Sequence, residues 1–366
     1  MTEISLDKYT GCLIGGAIGD ALGAPIEFMD LETIKSTFGK IGVQDYVEFS
    51  DGFGEFTDDT QMTLFTAEGL LRAYYRSPLN GTVGEFNAIS HHSYLRWLHT
   101  QGVPVEKDNI KEGVYDIEQG WLIKQKELYK RRAPGNTCLN ALSSGVAGTV
   151  ENPINDSKGC GAIMRVAPIG LLYNNDSKEA FKIACELSAI THGHPTGYLS
   201  AGFFASVISN LAKGLHLNDS IENSIKILTG WEFHEETLGA VIKSKELFNA
   251  TKNNKNHDFE TVEKLGEGWI AEEALSISLY CSLLYENDFK SGVLYSVNHS
   301  GDCDSTGSIT GNILGLINGE FAIPLNWIEK LRYSSIVSQI AEDLHTRIKG
   351  NSVVSDTEWL EKYPGF

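Results

Sequence analysis

The chain has 366 residues, 42% of them apolar, and a formal net charge of −18. That is enough apolar matter for a sizeable core, while no run reaches the roughly 20 apolar residues a membrane-spanning helix needs. So acidic a balance argues against nucleic acid and anionic membranes as partners, since both demand basic surfaces, and leaves room for a small anionic ligand held by backbone N–H groups and cations.

The six cysteines, Cys12, Cys138, Cys160, Cys185, Cys281 and Cys303, are scattered without a CxxC pair. A disulfide framework and structural zinc are therefore both poor readings. The opening Met-Thr-Glu-Ile-Ser-Leu-Asp lacks a basic head and an apolar run, so a cytosolic location is expected.

Taken in chain order, apolar spacing predicts a first helix over residues 6–21. Glycine recurs there every fourth residue, at Gly11, Gly15, Gly19 and Gly23, which bares one helix face. Residues 39–56 lack helical spacing and are expected to hold a strand pair or an active-site flap. Phe56-Thr-Asp-Asp-Thr60 then leads into a helix over 61–75, followed by helices over 86–98 and 117–130.

Two loops come next, Arg132-Ala-Pro-Gly-Asn-Thr-Cys138 and Asp156-Ser-Lys-Gly-Cys-Gly-Ala162. Each precedes a helical stretch, where free N–H groups either cradle phosphate or simply turn the chain. Helices over 180–189 and 195–213 flank Thr191-His-Gly-His-Pro-Thr-Gly-Tyr198, a junction that suits a site wall or a structural turn. Further helices are predicted over 235–249, 269–285, 306–317 and 327–349. With only nine prolines and no low-complexity linker, the simplest partition is one all-α domain over residues 1–366.

A second glycine series, Gly307, Gly311, Gly315 and Gly319, repeats the first. Glycine inside a helix costs about 1 kcal/mol against alanine, so two such series call for close backbone packing of one helix on the other. The two helices are expected to cross near the centre, and if they touch, Asp20, Glu27 and the carboxylates at 302–304 approach one cavity.

Chemistry concentrates at two acidic clusters. Asn298-His-Ser-Gly-Asp-Cys-Asp-Ser-Thr-Gly307 sets Asp302 and Asp304 beside two hydroxyls, and Thr57, Asp58 and Asp59 repeat that donor set far upstream. Oxygen-only donors suit hard cations such as Mg²⁺ or Mn²⁺. For any one of these residues, capping of a helix by Thr57 or Asp302 is the plainer reading, but two clusters together favour two metals. His192 and His194 lack the spacing of a helical metal pair, so His192 is expected to touch substrate; His91 and His92 read as structural. Trp269, at the start of a helix, either stacks on a flat ring or packs inside.

Together Gly15-Gly-Ala-Ile-Gly-Asp-Ala-Leu-Gly23, Phe56-Thr-Asp-Asp-Thr60, Gly159-Cys-Gly-Ala-Ile-Met-Arg165, Thr191-His-Gly-His-Pro-Thr-Gly-Tyr-Leu199 and Gly301-Asp-Cys-Asp-Ser-Thr-Gly307 resemble the ADP-ribosylglycohydrolase family, in the family's order and over nearly the whole chain. The resemblance implies a compact, orthogonal multi-helix domain around a dinuclear Mg²⁺ or Mn²⁺ site that removes ADP-ribose from modified proteins. Carried over, Thr57, Asp58, Asp59, Asp302, Asp304 and Ser305 match the metal ligands. Glu27 matches a glutamate beside the metals that acts in catalysis or gating, with Asp58 and Asp304 as the other candidates for moving a proton.

Ser157, Lys158, Gly159, Cys160 and Gly161 match the loop around the diphosphate and distal ribose, and His192 matches a substrate-contacting histidine. Asn136 in the first glycine loop and Trp269 complete the expected substrate contacts. Gly159-Cys-Gly161, His194-Pro-Thr-Gly-Tyr-Leu199 and Asp304-Ser-Thr306 resemble the arginine-directed branch, so ADP-ribosyl-arginine on a protein is the expected substrate and ADP-ribose the product. Two alternatives stand beside it: an immunity protein that blocks an ADP-ribosyltransferase toxin by direct binding, and a hydrolase of serine-linked or O-acyl ADP-ribose.

Overall fold

Two glycine-striped helices form the axis of the molecule. The computed structural model describes residues 4–47, 51–80, 86–105, 117–254, 258–348 and 356–364. Its helices are α1 (Leu6–Gly23), α2 (Leu31–Phe38), α3 (Asp58–Asn80), α4 (Phe86–Thr100), α5 (Asn136–Ser143), α6 (Ala167–Leu172), α7 (Ser177–Ala189), α8 (Pro195–Ala212), α9 (Leu217–Leu228), α10 (Glu235–Thr251), α11 (Ala271–Leu284), α12 (Phe289–Val297), α13 (Cys303–Asn318), α14 (Leu325–Lys330), α15 (Ser334–Ile348) and α16 (Asp356–Lys362). Among the described residues there is no strand, only the isolated bridges Gly54–Leu331 and Gly159–Ile270. The fold is all-α.

The glycine series do meet, but along their whole length rather than at one crossing. A Cβ on Gly11, Gly15 or Gly19 would stand 2.4, 2.4 and 2.0 Å from the carbonyl oxygens of Gly315, Gly311 and Gly307. The pairing descends one sequence as it climbs the other, so α1 and α13 are antiparallel. The C-terminal end of α1, with Asp20, therefore lies against the N-terminal end of α13, with Asp302 and Asp304. The Asn312 side chain fills the space left at Gly16 and donates to the Cys12 carbonyl at 2.8 Å.

Around this pair pack α11, α12 and α15, with α3 on α4 and α7 on α8. One buried apolar cluster runs from Tyr9 to Tyr363, and a smaller one gathers Val262, Ile277, Tyr280 and Tyr295.

Two predicted helices need correction. Residues 117–130 form two 3₁₀ turns, Leu122–Lys124 and Lys126–Tyr129. Gly120 turns the chain at φ +117°, and outside partners claim the backbone: Gln119 O accepts from Arg72 Nη2 at 2.6 Å and Trp121 N donates to Lys362 O at 3.1 Å. The stretch 327–349 is broken at residues 331–333, where Leu331 is extended, Gly54 bonds across it to Lys330 and Arg332, and Tyr333 sits at φ +64°; Lys349 lies outside the described residues. Residues 39–47 and 51–56 are irregular apart from the Gly54 bridge and show no strand pair. Residues 48–50 lie outside the described residues.

Candidate active site

Three helix ends meet at one point. Asp302 caps α13 and accepts from Ser305 N at 3.3 Å, while Asp304, one turn position on, accepts from Ser305 N at 2.9 Å. Gly301, at φ +107°, lets the chain pass the Glu267 carbonyl, which a Cβ would approach to 2.2 Å and to which Asp302 N donates at 2.8 Å. Thr57, at the start of α3, reaches across and donates to Asp304 Oδ2 at 3.2 Å. Asp58 Oδ2 accepts from Gly135 N at 3.2 Å, tying the first glycine loop to the cluster. Glu27, in the turn after α1, completes the group: its carboxylate and those of Asp302 and Asp304 bring donor atoms within 4.8 Å of one another.

Thr57, Asp58, Asp59, Asp302, Asp304 and Ser305 are all buried, and Asp59 Oδ2 is buried without a partner. Burial first, then the carboxylates facing one another, push Asp59 and Asp302 well above the usual carboxylate range; Asp58 is pushed up by burial against a bond from Gly135. Glu27, half-buried, is raised to about 10 by burial and by Asp304, Asp302, Asp58 and Asp20 in that order. Crowded acidic oxygens with an orphan among them fit a hard cation, whose charge would restore their ionised forms.

The second wall is the loop at 157–161, laid along 269–271 by Cys160 N to Trp269 O at 3.1 Å and Ala271 N to Lys158 O at 2.8 Å. Ser157 Oγ shares a hydrogen bond with Thr137 at 3.1 Å and accepts from Gly159 N at 3.3 Å. Cys160 Sγ donates to Asp302 Oδ2 at 2.7 Å. Arg165 Nη2 donates to the Thr191 hydroxyl at 2.8 Å, and that hydroxyl lies 2.8 Å from His192 Nδ1. Burial and Arg165 bring His192 down to about 3, so the imidazole is neutral. With the threonine proton turned to Nδ1, the ring proton sits on Nε2, the atom that faces Gly159 and Gly161.

Other expected contacts sit less centrally. The Lys158 ammonium turns away to Glu236 and Glu272. Asn136 is exposed at the first position of α5. Trp269 is half-buried, and one of its faces is covered by Phe28, stacked at 5.2 Å and 24°. Phe28 holds φ +71° and is 73% exposed, beside Glu27. Phe28 was not legible in the sequence.

The all-α scaffold carries acidic clusters at the N-termini of α3 and α13. A model of the ADP-ribosylglycohydrolase family matches residues 1–353, and the chain belongs to that family. An uncharacterized protein of Archaeoglobus fulgidus is 29% identical over 352 residues, covering 93% of this chain and 98% of its own. The ADP-ribosylarginine hydrolase Tri1 of Pseudomonas putida is 24% identical over 351 residues, 94% of this chain and 80% of its own. A solved structure described as an ADP-ribosylglycohydrolase-related protein complex shares the fold with a TM-score of 0.63 at 22% identity, over 94% of this chain and 98% of that one. No helix among the described residues is long and apolar enough to cross a membrane.

Proposed function

We propose that the protein releases ADP-ribose from arginine side chains of modified proteins, with two Mg²⁺ or Mn²⁺ ions held by Thr57, Asp58, Asp59, Asp302, Asp304 and Ser305. The observation that carries this reading is the convergence of half-buried Glu27 with buried Asp302 and Asp304, to which Thr57 of α3 is hydrogen-bonded, together with the orphaned Asp59 Oδ2 of α3. Bound there, the ions would supply Lewis acidity and orient the ribose hydroxyls beside the bond to be broken.

Cleavage of the N-glycosidic bond builds oxocarbenium character at the anomeric carbon, and addition of water yields ADP-ribose and free arginine. The guanidine must leave with a proton. Glu27 stands at the rim of the carboxylate group, where its carboxyl can pass a proton between water and the leaving nitrogen; Asp58 and Asp304 lie deeper and can relay the water's proton. On the second wall, the Ser157 hydroxyl and the backbone of Lys158, Gly159, Cys160 and Gly161 would hold the diphosphate, with the His192 Nε2–H as a neutral donor. Asn136 at the start of α5 and Trp269 would complete the substrate contacts.

Arginine linkage draws on the likeness to the ADP-ribosylarginine hydrolase of Pseudomonas putida and on Gly159-Cys-Gly161, His194-Pro-Thr-Gly-Tyr-Leu199 and Asp304-Ser-Thr306 in this chain. Asp302→Ala or Asp304→Ala is expected to abolish turnover together with metal binding, checked by chromatography of released ADP-ribose and by calorimetric Mn²⁺ titration; full activity in either variant contradicts the site. A second reading, an immunity protein that shields a target by binding a basic ADP-ribosyltransferase toxin, draws on the −18 charge. Protection that survives Asp302→Ala would favour it.

A further inference from the structure

A helix that opens a ligand site has a local problem. The threonine at an N-cap normally turns its hydroxyl back to the backbone N–H groups of its own first turn. In α3 the Thr57 hydroxyl donates to Asp304 Oδ2 at 3.2 Å while accepting from Asp59 N at a long 3.4 Å, a weak cap. The first turn is also capped from another helix. Asp20 of α1 accepts from Thr57 N at 2.8 Å through Oδ1 and 3.0 Å through Oδ2, and Oδ2 also accepts from Thr60 N at 3.0 Å and from Thr60 Oγ1 at 2.5 Å.

Asp20 is fully buried, and its two oxygens are engaged by N–H and O–H donors; it stands outside the Glu27–Asp302–Asp304 donor group. Its own place is fixed because the neighbouring Gly19 abuts Gly307, where a Cβ would come within 2.0 Å of the carbonyl oxygen. One side chain thus locks the first turn of α3 to α1, and through the glycine contact to α13.

We propose that Asp20 is a positioning residue: it adds to the weak cap that Thr57 supplies, and so holds Thr57, Asp58 and Asp59 at the spacing from Asp302 and Asp304 on which cation binding depends. This rests on the reading that these oxygens hold cations. Asp20 itself touches neither substrate nor metal. Its replacement by asparagine is isosteric but turns an N–H donor towards the N–H groups of Thr57 and Thr60, so one acceptor is lost. Thr60→Val keeps the charge of Asp20 and deletes one donor to it, whereas Thr60→Ser keeps that donor.

The experiment is calorimetric Mn²⁺ titration of the full chain and of Asp20→Asn, Thr60→Val, Thr60→Ser and Asp302→Ala, with far-ultraviolet circular dichroism and metal-free melting on each. Asp20→Asn is expected to weaken Mn²⁺ binding roughly 10–100-fold at unchanged helical content. Thr60→Val is expected to weaken it roughly tenfold, with Thr60→Ser close to the unaltered protein. If Asp20→Asn does not fold, the threonine pair alone decides. Unaltered Mn²⁺ affinity in Asp20→Asn or Thr60→Val, with only the metal-free melting lowered, would reduce Asp20 to a structural cap and overturn the proposal. Failure of the unaltered chain to bind Mn²⁺ would overturn the metal reading itself, and with it this role; loss in Asp302→Ala alone overturns only the role of Asp20.

Discussion

Carboxylates set against one another make the site a source of pH dependence. Burial and then Asp304 raise Asp20 from 3.8 to about 7, and burial and neighbouring carboxylates raise Glu27 from 4.5 to about 10. A carboxyl whose folded-state pKa lies above its unfolded value favours the folded chain while protonated. That contribution is complete below about pH 4 and is lost as pH rises through the folded values. The metal-free melting temperature is therefore expected to fall between about pH 5 and about pH 9, and saturating Mg²⁺ or Mn²⁺ to remove most of that fall, as read by thermal circular dichroism. A metal-free melting temperature that rises across the window would contradict this electrostatic account. At this scale the acidic motifs were legible because their donors are sequence neighbours. Asp20's task was not, since its partners lie 37 and 40 residues away.

Packing of helices decides which glycines matter. Alanine at Gly19 or Gly311 would drive a Cβ to 2.0 or 2.1 Å from a facing backbone oxygen, where neither helix has room to give. Gly239 in α10 is exposed and has nothing within 4 Å of the same position. Gly19→Ala is expected to cost about 3 kcal/mol or to prevent folding, and Gly239→Ala to add up to about 1 kcal/mol, both by urea unfolding. Equal effects at the two positions would contradict the close packing of α1 on α13. The four-residue period of the glycines announced this contact from sequence, because a bare helix face lets another backbone come close. It could not tell a local crossing from contact along four turns. Apolar spacing found the long helices but failed where backbone partners come from afar, as at Gln119, Trp121, Lys330 and Arg332. Short or modest helices were overlooked too: α2, whose Asp30 cap accepts from Thr33 N at 2.7 Å, and α9, with Leu217, Ile221 and Leu228 on its buried side.

At the scale of the whole molecule, the apolar cluster reaching from Tyr9 to Tyr363 bears on how the chain unfolds. We expect residues 1–366 to behave as one domain, with tryptophan fluorescence and circular dichroism following a single coincident urea transition; two separated transitions would contradict it. The proposed site lies where α1, α3 and α13 meet, so a single transition would lose the site and its scaffold together. The most direct test of the central claim is chromatographic detection of intact ADP-ribose from an arginine-ADP-ribosylated protein and a serine-linked control, each with Mg²⁺ and with chelator. The account predicts release from the arginine substrate with Mg²⁺ and none with chelator or from the serine control. Release that persists in chelator, or that occurs from serine alone, would contradict it.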